Sequence, residues 1–173
     1  MQKNKHVDGF TLVELLIVIS LIAVLTGIII AKVSGSRKNA NYLKRLSDIN
    51  QIELGLQRYN AVNLGKYPST NEIWLSHATC VAQSATVNAQ FVPGLVPTYM
   101  ASMPKDPENA TDCLNGPVYM YKSNGRKYKL IVYNDKKDVD VLLQKNKNMI
   151  DPVRASTSTT PSFGVWLLGG ANY

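Results

Sequence analysis

The apolar and polar positions of this chain fall into two helical patterns followed by a patchwork of short runs. From Phe10 to Ala31 the sequence reads FTLVELLIVISLIAVLTGIIIA, 22 residues with one charge and no proline. At ~1.5 Å per residue such a helix is roughly 33 Å long, enough to cross a hydrocarbon layer. Beyond it Leu43, Leu46, Ile49, Ile52 or Glu53, Leu56 and Tyr59 recur every three or four positions between polar residues, which is amphipathic helix spacing. The two patterns predict one continuous helix from about Phe10 to Asn60, ~75 Å long, apolar on one face from Tyr42 to Tyr59. Gly65-Lys66-Tyr67-Pro68 ends the helical pattern and opens a second region.

In that region Ala78 to Gln90 is small and polar and reads as a loop, and Met103-Pro104-Lys105-Asp106-Pro107 forbids regular structure. Val118 to Lys122 and Lys127 to Tyr133 flank Ser123-Asn124-Gly125-Arg126, and an Asn-Gly pair between such runs predicts a β-hairpin. A third strand is expected at Val139 to Leu143, completing a small antiparallel sheet against the helix. Ala155 to Ser162 is a flexible linker by composition. Phe163 to Leu168 is apolar but too short to span a bilayer, and docks either on its own head or on a neighbour.

Composition narrows the function. Only His6 and His77 occur, so a multi-histidine zinc site is excluded and a Ser-His-Asp triad would need one of the two. Two cysteines cannot form a thiolate metal cage, and no phosphate-cradling glycine motif occurs. No enzyme, no cofactor and no metal site is expected. The formal charge of +7 suits an anionic partner without naming one.

The apolar run is longer than a signal-peptide core and continues into Lys32 without a small-residue cleavage site. An anchor fits its length but not Glu14, because a carboxylate inside a membrane segment needs a partner or a neutral form. Gly9-Phe10-Thr11-Leu12-Val13-Glu14, followed by Leu15-Leu16-Ile17-Val18-Ile19, resembles the processing signature of type IV prepilins and pseudopilins. The YPST, PKDP and YMY segments between residues 67 and 133 are similar to the major pseudopilin of type II secretion and to related pilins. Asp8 departs from the pattern, standing where such leaders usually carry a basic residue.

The resemblance implies an α+β, type IV pilin-like lollipop: a long N-terminal helix, its first half transmembrane, packed on a small antiparallel β-sheet head. It divides the chain into a cleaved leader (1–9), a transmembrane or filament-core half-helix (10–31), an amphipathic half-helix (32–60), a globular head (61–154) and a linker with an apolar tail (155–173). It also implies cleavage between Gly9 and Phe10, methylation of the new Phe10 amine, and a meeting of Glu14 with a neighbouring subunit's Phe10 amine. An α-amine is mostly cationic at neutral pH and is a fitting counter-ion for a carboxylate in a bundle. Glu14 also lies four residues from Phe10 and can pair within its own helix. Counting Lys and Arg at the two ends of the span would leave the C-terminal part in the cytoplasm; the motif implies the reverse, with a cytoplasmic leader.

Ala23, Gly27, Ala31 and Gly35 form a small-residue track that lets helices approach closely, or reflect the richness of membrane helices in small residues. Many pilins carry a proline late in the apolar run, whereas this chain has Gly27, which leaves unwinding on assembly open. In an exported head Cys80 and Cys113 are expected to form a disulfide. Some pseudopilins bind calcium near the position of Asp135, Asp138 and Asp140; here Lys136 and Lys137 interrupt the cluster, so solvated turn charges are the expectation. Lys127, Lys129, Lys136 and Lys137 interleave with Tyr119, Tyr121, Tyr128 and Tyr133, as in a nucleic-acid surface. A solvated strand face over core tyrosines is the commoner origin of that pattern, and nucleic acid is set below it.

The expected function is a structural subunit of a type IV pilus-like filament, a homo-oligomeric helix. Its partners are the prepilin peptidase/methylase, the inner membrane before assembly, and pilus or secretion assembly machinery. The alternatives are the major pseudopilin of a type II secretion system, ending in a periplasmic pseudopilus rather than an extracellular pilus, and a monomeric membrane-anchored extracytoplasmic binding protein.

Overall fold

A computed structural model describes residues 10–135, 145–154 and 159–173, with the side chains of residues 28–34 outside that description. Two compact units are present, residues 1–38 and 39–173. Helix α1 (Leu12–Val62) contributes to both, and α-helix is continuous through Gly27. The fold is α+β: a long N-terminal helix whose C-terminal part packs on a five-stranded, mostly antiparallel sheet.

The sheet comprises β1 (Leu75–Ser76), β2 (Thr86–Val87), β3 (Val118–Ser123), β4 (Tyr128–Tyr133) and β5 (Phe163–Trp166), in the order β2-β1-β3-β4-β5. Only β1 and β2 run parallel. The β3–β4 hairpin turns through Asn124 and Gly125, with Gly125 at φ +86° and Asn124 Oδ1 accepting from the amides of Arg126 and Lys127. The Asn-Gly pair thus supplies both the side-chain acceptor and the left-handed residue that the turn needs.

One face of the sheet meets the helix. Tyr119 and Tyr121 from β3, Tyr128, Leu130 and Val132 from β4, and Phe163 from β5 pack with Tyr42, Ile49, Ile52 and Leu56 of α1 and with Phe91, Val92 and Leu95. Period-2 alternation sends Val118, Met120, Ile131 and Tyr133 to the opposite face. That face is not solvated as the sequence suggested: Trp74, Ala78 and the disulfide between Cys80 and Cys113 cover it. The bridge closes a separation of 33 residues, worth about 3–4 kcal/mol in the chain-entropy model.

The buried stripe of α1 differs from the expected one. Leu43 is 60% exposed, whereas Tyr42, Arg45 and Asp48 are buried beside Ile49, Ile52 and Leu56. Burial of the two charges follows from their partners. Arg45 is held by Asp106 and Asp135, and Asp48 accepts from Tyr119 Oη at 2.8 Å and from Lys44. Asp135 is therefore a buried ion-pair partner and not a solvated turn charge.

The segment expected as a loop at 78–90 carries a 3-10 turn (Val81–Gln83) and β2. The strand expected at Val139 to Leu143 lies outside the described residues, as do Asp138 and Asp140. The observed third long strand is β5, in the apolar tail, which docks on its own head. Gly164 makes this possible, since a Cβ there would stand 1.9 Å from the Leu130 carbonyl oxygen.

Candidate functional site

The candidate assembly segment begins where the chain enters α1. Thr11 precedes the first helical residue, and Glu14 occupies the third. Glu14 Oε2 accepts from the Thr11 amide at 2.9 Å and from Thr11 Oγ1 at 2.8 Å, and the Glu14 amide donates to Thr11 Oγ1 at 3.2 Å. This is a capping box, in which each residue satisfies a backbone donor that the helix start leaves free. Its signature, Thr-x-x-Glu before an apolar run, was present in the sequence and gives Glu14 a role beyond the one inferred for it.

Every apolar side chain described from Phe10 to Leu25 is exposed, whichever side of the helix it occupies. The hydroxyls in this stretch are satisfied within the helix, Ser20 on the Ile17 carbonyl and Thr26 on the Ile22 carbonyl. The segment thus presents apolar surface all round with its hydroxyl donors turned inward, as a helix surrounded by lipid or by other helices requires. Among the described residues no helix is long and apolar enough to cross a membrane. Ala23, Gly27 and Gly35 lie exposed on α1, and a Cβ built on either glycine would meet nothing within 4 Å. Gly9 and the side chain of Ala31 lie outside the described residues.

Part of the head's charge is buried. Lys129 is fully buried on the outer sheet face, its Nζ 2.6 Å from Asp151 Oδ1 and 2.6 Å from the Ala171 carbonyl oxygen. Burial lowers its pKa while Asp151 opposes the shift. Lys129 is therefore unavailable to a nucleic acid, contrary to its place among the candidate contacts. Lys127 is half-buried with its Nζ 4.8 Å from the centre of the Tyr173 ring, and Lys136 and Lys137 lie outside the described residues. Sequence reasoning missed Arg154 and Asp151, which meet at 2.9 Å and complete this cluster.

His77 accepts the Tyr119 amide on Nδ1 at 3.1 Å, and its Nε2 is buried without a partner. Its ring bonds no hydroxyl or thiol among the described residues. Among the described residues no group of three or more His, Cys, Asp or Glu side chains could hold a metal ion.

Comparison with known proteins agrees with the N-terminal geometry. The family model for the prokaryotic N-terminal methylation motif matches residues 4–30. The chain is 31% identical to a type II secretion system core protein G from Klebsiella pneumoniae over 107 residues, 62% of this chain and 71% of that protein. It is 33% identical over 72 residues to the protein of the same name from Aeromonas hydrophila, and 35% identical over 72 residues to that from Escherichia coli (strain K12). In each of these two it covers 42% of this chain and 49% of the relative, so the chain spans about half their length. No solved structure matches the chain.

An all-round apolar helical segment with a capped start, followed in sequence by a helix-on-sheet head, is an α+β pilin-like fold. With the methylation motif and these relatives, the chain belongs to the type IV pilin and pseudopilin family.

Proposed function

We propose that this chain is a subunit of a type II secretion pseudopilus. The observation that carries this reading is the similarity to core protein G, which extends over 71% of the Klebsiella pneumoniae relative and so beyond the N-terminal motif. It favours the pseudopilin over the surface pilus subunit, the first expectation from the sequence.

On this reading the precursor waits in the inner membrane through residues 10–31, with its leader in the cytoplasm. A prepilin peptidase cuts after Gly9, the Phe10 amine is methylated, and the helix moves from lipid into a bundle of like helices. The exposed apolar side chains from Phe10 to Leu25 support this route, because either surrounding covers them. Ala23, Gly27, Ala31 and Gly35 lie along the track where helices in that bundle would approach most closely. Glu14 meets the neighbouring subunit's Phe10 amine in the bundle, and the head faces the periplasm. Such a subunit performs no reaction of its own.

Deleting the gene should leave a folded exoprotein in the periplasm while surface fibres persist. Wild type should restore export and Gly9→Trp should not, and mass spectrometry should find mature protein beginning at Phe10. Loss of surface fibres with export intact would return the pilus reading. Mature protein still beginning at Met1 would favour the anchored monomer.

A further inference from the structure

We propose that the surface at the C-terminal end of α1 is a docking site for an acidic, apolar-tipped polypeptide segment of a partner protein. The observation that points there is Leu64. Helix α1 ends with the Gly65 amide donating to the Asn60 carbonyl at 3.1 Å, and Leu64 and Gly65 both adopt left-handed backbone, at φ +57° and +74°. This is the helix stop in which the residue at the position of Leu64 is ordinarily glycine or asparagine, because a larger side chain is strained there. Leu64 nevertheless occupies it and is 94% exposed, so folding gains nothing from its side chain.

Leu64 lines a cavity of ≈ 650 Å³, within the range of about 300–1,000 Å³ usual for ligand sites. Tyr59 and Tyr67 line it, exposed Val62 adds apolar surface, and Lys66 and Arg126 supply charge. No acidic residue lines it, and neither cation has an ion-pair partner among the described residues. Two unpaired cations beside two exposed aliphatic side chains complement a segment carrying carboxylates and an apolar side chain. A nucleic acid would use the cations but not Val62 and Leu64. The inference does not depend on which filament the chain joins.

The test uses the full chain in detergent micelles and the anisotropy of a fluorescein-labelled peptide of alternating glutamate and leucine. Controls are the same peptide with glutamine for glutamate and a single-stranded oligothymidylate. The acidic peptide should bind more tightly than either. The double variant Lys66→Glu/Arg126→Glu should weaken it about tenfold. Leu64→Gly should also weaken it while leaving the melting temperature unchanged or raised, which a merely structural leucine would not do. No binding of the acidic peptide, binding indifferent to these variants, or tighter binding of the oligothymidylate would overturn the proposal.

Discussion

Arg45 and Asp106 face each other through a two-pronged ion pair, Nε to Oδ2 at 2.6 Å and Nη2 to Oδ1 at 3.0 Å, with both side chains fully buried. Asp135 takes a third position, 3.2 Å from Nη1. The pair ties α1 to the proline-bounded segment at Lys105 to Pro107, and Asp135 ties it to the chain just after β4. Removing Asp106 leaves buried Arg45 with less carboxylate around it, whereas removing Arg45 takes the cation from two buried carboxylates at once.

Asp106→Ala should therefore destabilise the head by about 3 kcal/mol, the lower end for a broken buried pair because Asp135 still holds Arg45. Arg45→Met/Asp106→Leu should cost more than Asp106→Ala alone, because it also takes the guanidinium away from buried Asp135. Denaturant unfolding of the mature chain in micelles, followed by tyrosine near-UV circular dichroism, measures both. The same cost for the single and double variants would show that packing, and not charge, dominates this contact.

This pair also marks where sequence reading stopped. The helix and hairpin were legible because each is a local matter, a period of apolar residues in one case and Asn124-Gly125 in the other. The register of the buried stripe was not, since Leu43 looks like core and Arg45 like surface until Asp106 and Asp135 are known to arrive from segments 61 and 90 residues away. β5 was hidden for a similar reason: its partner β4 is separated from it in sequence by residues 134–162, and the glycine that lets the backbones meet, Gly164, carries no periodic signal. At the candidate site, the methylation motif was legible as a local string, but Lys129 looked available because the cover of the outer sheet face is tertiary.

The head should lose stability in mild acid through His77. Burial holds its pKa below the ordinary histidine value, with Asp106 raising it, Lys105 lowering it and the Tyr119 amide bonded to Nδ1. The folded state thus favours the neutral ring. Its contribution is complete above the unfolded pKa of about 6.5 and is lost as pH falls toward the lower folded value, because the unfolded chain then binds the extra proton. Melting temperatures measured from about pH 8 to about pH 5 should fall in that window. His77→Asn, which keeps an acceptor for the Tyr119 amide, should flatten that part of the curve; an unchanged slope would assign it to the carboxylates.

Gly164→Val should detach β5. A Cβ at that position would meet the Leu130 carbonyl oxygen at 1.9 Å and the Ile131 Cα at 2.7 Å, both backbone atoms that cannot swing away. Strand loss removes Phe163 from the core and opens the cover over Lys129, and the backbone collision should cost about 2–3 kcal/mol. Limited proteolysis should release the tail after Arg154 more rapidly than in wild type. Equal protection would mean that the sheet shifts to accommodate the side chain.

Glu14 caps its own helix, and on the proposed function it has a second, separable task, supplying a charge for assembly. The capping box uses a carboxylate oxygen as acceptor, and glutamine serves the same position. Glu14→Gln should therefore keep the helix start while removing the charge that would attract a neighbouring Phe10 amine. Membrane insertion should survive, since removing a charge makes the segment a better membrane helix, and cleavage should survive because Gly9 and Phe10 are untouched. Pseudopilus yield should nevertheless drop, because a subunit entering the bundle would bring an unpaired cation into apolar surroundings. Thr11→Val is the reciprocal variant: it removes the hydroxyl side of the box and keeps the charge, so it should fray the first turn and leave assembly largely intact. The readout is sheared-filament yield at equal levels of mature protein, with hydrogen exchange at the Thr11 and Glu14 amides reporting the cap. Wild-type yield from Glu14→Gln together with lost yield from Thr11→Val would make the helix cap, and not the charge, the function of this motif.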